Sequence, residues 1–216
     1  QGKLISEIEI FLNEQGLLKD IIAKGNVKNL EAELFNDFSL KQTNLSFIAD
    51  NKDILIKNIF GTLENIKISD GDIKINLENG IKLNSNFNSK INFNEKLLKK
   101  YDKLLDKHLP KGKIKIIKAE LNNNFSINLD NTYKIQDYNY TVTGKLEKSK
   151  FELVSTIKNS FIKKELKEIY FSDLQIKSIF LPNNVKLNGE GKYSFDNKNF
   201  QKMNLKNNFK NNLLFL

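Results

Sequence analysis

Residues 80–94 read G-IKLNSNFNSKINF-N. Every odd position from Ile81 to Phe93 is apolar or a small serine: Ile81, Leu83, Ser85, Phe87, Ser89, Ile91 and Phe93. Every even position between them is lysine or asparagine. Period two over so long a run dictates a β-strand with one apolar face and one wet face. At ~3.3 Å per residue the run spans about 43 Å, whereas ordinary strands have about five or six residues. A strand of this kind calls for a wide, one-sided sheet, and its apolar side must cover something.

The flanking segments follow the same pattern. Residues 3–11 read as a strand, closed by a turn at Asn13-Glu14-Gln15-Gly16. Residues 17–23 fit a helix or a strand, and the continuation Ile21-x-Ala23-x-Gly25-x-Val27 favours a strand with a close-approach glycine. Leu30-x-Ala32-x-Leu34 resumes period two after a slip of phase, the mark of a bulge or bend. Asn36-Asp37 is a turn, and a strand through Leu45 and Phe47 ends at residues 50–53. Residues 54–60 are expected to pass through Gly61 into residues 63–68. Ser69-Asp70-Gly71 and Asn79-Gly80 both read as tight hairpin turns, because Asp-Gly and Asn-Gly accept positive φ.

One helix is predicted, at about 95–109. Asn94 is its N-cap, Leu97, Leu98, Tyr101, Leu104, Leu105 and Leu109 form its apolar stripe, and Pro110 and Gly112 stop it. A second long alternation follows at residues 117–129, with Leu121 to Phe125 echoing Leu83 to Phe87. Asp130-Asn131 turns the chain into residues 133–136. Strands are expected at 138–146, 151–157, 171–180 and 185–195, with 161–169 open between helix and hairpin and the tail from Asn197 unassigned. No Pro-, Gly- or Ser-rich linker divides residues 1–216, which read as a single continuous unit. The chain starts at Gln1 and ends in Leu213-Leu214-Phe215-Leu216, as a piece of a longer protein would.

Chemistry-bearing motifs are scarce. The chain has no cysteine and one histidine, His108, placed near the C-terminal end of the predicted helix. No cofactor, metal site or catalytic residue is expected from this inventory. Ser69-Asp70-Gly71-Asp72 lacks the distal glutamate of a calcium loop. Asp102 and Asp106 lie among lysines on the helix, as on a solvated face. The net charge of +9 is carried by lysine alone, without arginine. Lysines and aromatics fall on opposite strand faces, which argues against a nucleic-acid partner.

With one helix, the apolar side must be closed by a second sheet, by barrel closure or by an apolar ligand. A strand of about 43 Å bent to a half-cylinder has a backbone radius near ~14 Å, enough for a channel of acyl-chain width. The expected lining comprises Ile73, Ile75 and Leu77, then Ile81, Leu83, Phe87, Ile91 and Phe93. It continues through Ile117, Leu121, Phe125, Ile127 and Leu129 to Tyr138, Tyr140 and Val142. The expected fold is mainly β, a long curved antiparallel sheet forming a taco-like groove with the one amphipathic helix. The alternatives are a β-sandwich or solenoid domain of a surface adhesin, with apolar faces packed on each other, and an outer-membrane barrel with its apolar face outward.

The succession Gly16…Gly25-Asn26-Val27, Asp70-Gly71-Asp72-Ile73, Asn79-Gly80-Ile81, an amphipathic helix and Tyr138…Gly144-Lys145-Leu146 resembles the AsmA-like periplasmic β-groove proteins, especially the YhdP and TamB group. The resemblance extends over residues 2–196 as a pattern of alternation and turns. It implies a segment of a bridge-like lipid-transfer protein that shields phospholipid acyl chains for outer-membrane biogenesis. It also implies a periplasmic body, an inner-membrane anchor outside these residues, and contact with both membranes through other parts.

Overall fold

The computed structural model describes residues 1–33, 39–99, 112–158 and 165–210. They form one open antiparallel sheet of eleven strands whose spatial order is their order in sequence. The strands are β1 (Lys3–Leu12), β2 (Leu18–Glu33), β3 (Ser39–Ala49), β4 (Asp53–Leu63), β5 (Ile66–Asn76) and β6 (Ile81–Phe93). After the short helix α1 (Glu95–Leu98) come β7 (Gly112–Leu129), β8 (Ile135–Ile157), β9 (Leu166–Leu181), β10 (Asn184–Ser194) and β11 (Gln201–Lys210). The mainly β, long, curved sheet expected from the alternation is the fold.

β6 shows how the pattern becomes structure. Its odd residues are enclosed or half-enclosed and its even residues are exposed along the whole strand. Its unbroken register to β7 pairs Ile81 with Leu129, Leu83 with Ile127, Ser85 with Phe125 and Phe93 with Ile117. Residues paired across an antiparallel ladder point to the same side, so one apolar face runs on from strand to strand. On the other face lysines and carboxylates pair across neighbouring strands: Lys24 with Glu7 and Glu9, Lys90 with Glu120, Lys118 with Glu147, Lys145 with Asp173 and Lys150 with Glu168.

Among the described residues no second layer packs on the apolar face. Strands make their main contacts with sequence neighbours, and α1 rests on β6 and β7. The accessible surface is 15157 Å², against about 10,000 Å² for a globular monomer of this mass. The molecule is an open curved sheet, not a sandwich. No helix among the described residues is long and apolar enough to cross a membrane.

Several turns and strands differ from the sequence reading. Ser69-Asp70-Gly71 is no turn: β5 runs through it, and Asp70, at φ 52°, forms a bulge between the pairs Ser69–Asn88 and Asp72–Asn86. The left-handed backbone that suits a tight turn also suits a bulge, so a short acidic side chain serves either. Gly61 lies inside β4, and the chain reverses at Glu64, at φ 53°. There a Cβ on Gly61 would fall 2.2 Å from the Thr43 Oγ1, so the glycine answers a close cross-strand approach. Residues 138–146 and 151–157 are parts of the single 23-residue strand β8, β10 stops at Ser194, and the tail supplies β11. Residues 133–136 span the end of the Asp130 turn and the start of β8.

Other expectations are met. The slip after Val27 is a bulge with Asn29 at φ 51°. A Cβ on Gly25 would lie 2.5 Å from the Ile5 carbonyl oxygen and 2.9 Å from the Phe47 ring, the expected close approach. Gly80, at φ 81°, turns β5 into β6. Asn94 caps α1 by accepting from the Leu97 N–H at 3.1 Å. The remainder of the predicted helix beyond residue 99, with Asp102, Asp106 and His108, and the Asn36-Asp37 turn, lie outside the described residues.

The hairpin turns are tied by carboxylates. Asp50 accepts from the Lys52 and Asp53 N–H groups, Asp130 from Thr132 and Lys134, and Asp196 from Lys198 and Asn199. Backbone hydrogen bonds hold the Asp50 and Asp196 carboxyls below their ordinary value of 3.8, and the Thr132 hydroxyl leads the same effect on Asp130. These folded values lie below the unfolded ones, so the stabilisation is complete above pH 3.8 and is lost as pH falls through the folded values. The melting temperature is therefore expected to hold steady from neutral pH down to about pH 5, to fall as the pH drops further towards about 2, and to fall less in Asp196→Asn. Identical acid slopes in both proteins would refute the assignment. A second expectation concerns Gly144, at φ 150°, where an added Cβ would meet the Glu120 carbonyl oxygen at 2.2 Å. Gly144→Ala should lower stability by roughly 2–3 kcal/mol in urea unfolding, and an unchanged midpoint would contradict that packing.

Candidate functional site

The register gathers the predicted lining residues on the apolar face. Ile73 pairs with Ser85, Ser85 with Phe125, Phe125 with Tyr140 and Tyr140 with Phe180. A neighbouring row runs from Ile75 through Leu83 and Ile127 to Tyr138. Phe87 lies across from Asn123 and Asn123 from Val142; Ile91 lies across from Ala119. Leu77 follows the end of β5 and is 38% exposed, so it stands at the rim of the face.

Large residues lean over small ones. One row reads Gly61, Ile68, Ser89, Leu121, Gly144, Ile176, Gly189 and Leu205 from β4 to β11, small alternating with large. The same relation recurs where Ile59 approaches Gly71 and Leu174 approaches Gly189. A single-layer sheet can bury side chains only against their neighbours on the same face. This alternation lets it do so while it curves. Phe125 meets Tyr140 edge-on at 5.9 Å, and Tyr140 stacks on Phe180 at 5.5 Å.

The most enclosed positions include polar ones that the sequence reading did not assign to the lining: Thr43, Ser89, Asn123, Ser149 and Ser178. Asn123 is the hub. Its Nδ2 donates to the Ser89 Oγ at 2.9 Å and to the Phe87 carbonyl at 3.2 Å, while its Oδ1 accepts from the Tyr140 hydroxyl at 2.8 Å. Burial pushes the Tyr140 phenol above its ordinary value. The signal for this hub was present, since Asn123 breaks the apolar parity of the 117–129 run.

The face also extends beyond the predicted set. Phe47, Ile54, Ile56 and Ile59 on β3 and β4, and Leu174, Ile176 and Phe180 on β9, continue its rows. Bulges at Gln42, Asn58 and Asp173 shift the parity of these strands, so simple alternation undercounts the apolar wall. Among the described residues no cluster of His, Cys, Asp or Glu has the makings of a metal site. The arrangement offers a continuous apolar surface about 48 Å across its strands, with polar groups tied to one another inside it. No family model matches the chain, and no curated protein or solved structure matches it.

Asn123→Leu would strand the Ser89 and Tyr140 hydroxyls and the Phe87 carbonyl. It should cost about 1–3 kcal/mol, with part of the loss recovered when Tyr140→Phe is added. Additive losses in urea unfolding would show that the Asn123–Tyr140 bond contributes nothing.

Proposed function

We propose that this chain is a segment of a periplasmic bridge-like lipid-transfer protein, in which the apolar face shields phospholipid acyl chains on their way to the outer membrane. The observation that carries the reading is the continuous apolar face of an eleven-stranded single-layer sheet, on which no second layer packs among the described residues. Such a surface cannot stay in water without cost: apolar area is worth about 25 cal/mol per Å² when covered. Acyl chains suit it because the surface is long, continuous and poor in directional contacts. A chain can then slide from row to row without a deep trap. The alternation and the turn at Asn79-Gly80, which resemble those of the AsmA-like proteins, support the same reading, although Asp70-Gly71 is a bulge and not one of those turns.

In this reading the cargo moves without covalent chemistry. Ile73, Leu83, Phe125 and Tyr140 touch the chains, the polar face meets the periplasm, and an inner-membrane anchor and the outer-membrane contact lie in other parts of the protein. The buried hydrogen bonds around Asn123 keep polar atoms from interrupting the track.

The test is native mass spectrometry of the purified protein with extraction of bound lipid. Phospholipid should co-purify, and Leu83→Asp should reduce it by more than about tenfold while the strand signature in circular dichroism is kept. A lipid-free protein with a dry, fully packed apolar face would overturn the proposal.

A further inference from the structure

The polar face has a concavity of its own. A depression of about 770 Å³ crosses β4 to β8. Its floor is the backbone of Gly61, Ile68, Ser89, Leu121 and Gly144, the row whose side chains point to the apolar side. Its walls are side chains of the opposite parity. Phe60, Ser69, Asn88, Asn122 and Thr143 stand on one side, with Thr62, Lys67, Lys90 and Glu120 on the other. Bulges at Gln42 and Asp70, and the φ of 150° at Gly144, bend the strands at this level.

We propose that this slot binds a linear oligosaccharide. The proposal concerns the face opposite the apolar track and stands independently of the lipid reading. Its dimensions suit an extended ligand lying across the strands. Four strand spacings make it about 19 Å long, and its two rows of wall residues stand about 7 Å apart at their Cα atoms. The inter-strand spacing is close to the length of one pyranose ring, so each ring of a linear glycan meets a new pair of wall residues.

The chemistry of the walls points the same way. Amides and hydroxyls both donate and accept, as a sugar's hydroxyls require. Asn122 is held by donating to Asn86 and Asn88 at 3.2 and 3.0 Å, and Asn88 by donating to Asp70 at 3.1 Å, so the wall is preorganised. Glu120 can accept from neighbouring hydroxyls. Phe60 is 44% exposed, an aromatic surface on a largely polar face that offers itself to the C–H side of a ring.

Other ligands fit less well. A peptide strand binds a sheet through free edge backbone, but the floor here belongs to strands paired on both sides. A polyanion would meet Glu120, which is already paired with Lys90.

The test is calorimetric titration of the whole protein with β-1,4-linked tetrasaccharides of glucose and of N-acetylglucosamine. At least one should bind with Kd below about 1 mM. Phe60→Ala and the double change Asn88→Ala/Asn122→Ala should each weaken it more than about fivefold, whereas Lys82→Ala, on the same face outside the slot, should not. Amide shifts in the unmutated protein should cluster at Asn88, Asn122 and Thr143, which keeps the test independent of variant folding. Absence of binding by both sugars up to about 10 mM, binding that survives the double change, or shifts elsewhere would overturn the proposal. So would full displacement of the sugar by inorganic phosphate alone, which would mark an anion site.

Discussion

Most enclosed side chains in the sheet depend on a neighbour across a strand pair, because among the described residues only the short α1 rests on it. That constraint explains the composition of the apolar face. Large residues are not opposed by other large residues from above, as in a sandwich. Some lie over glycine on the adjacent strand, as Phe47 does at Gly25 and Ile59 at Gly71, and others pack against large neighbours, as Phe125, Tyr140 and Phe180 do. The most enclosed positions are correspondingly small or polar, with Ala119 at 0% exposed and Thr43 at 1%. Larger apolar side chains such as Leu83 and Phe125 stay half-exposed, which leaves the face able to accept a cover.

The two faces are coupled through one row of backbone. From Gly61 to Gly144 that row alternates small and large side chains on the apolar side and forms the floor of the polar slot on the reverse. A change that straightens the row would alter both surfaces together. The lysine–carboxylate pairs on the polar face are solvent-exposed and individually worth little. Their placement across strands still favours this register over a slipped one, since a one-residue slip exchanges the faces.

Much of this was readable from residues alone. Long alternation located β6, most of β7 and the core of β8, and it assigned the lining residues to one face through their parity. Turn chemistry found Gly16 and Gly80, and the loss of phase after Val27 found the Asn29 bulge. The same chemistry misled at Asp70, because a left-handed residue reverses a chain only when no partner strand continues beside it. Here β4 and β6 both continue. Gly61 misled for a related reason, its small size serving Thr43 across the ladder and not a turn. In the candidate site, the common face of the apolar residues was legible, and so was the break in parity at Asn123, while the hydrogen bonds that make Asn123 a hub were not. Its hydrogen-bond partners Ser89 and Tyr140 lie on two other strands and meet it only in the folded register.

The sequence by itself determined that the chain is mainly β, which residues share a face, and that one face is apolar and the other wet. These are consequences of period two, a local property of the backbone. Only the tertiary structure decided that the strands lie in sequence order in one open layer, where bulges replace turns, and which polar side chains are enclosed. It alone also brought the slot walls of β4 to β8 together. Those outcomes depend on hydrogen-bond pairing between residues distant in the chain, and period two permits many such pairings while naming none.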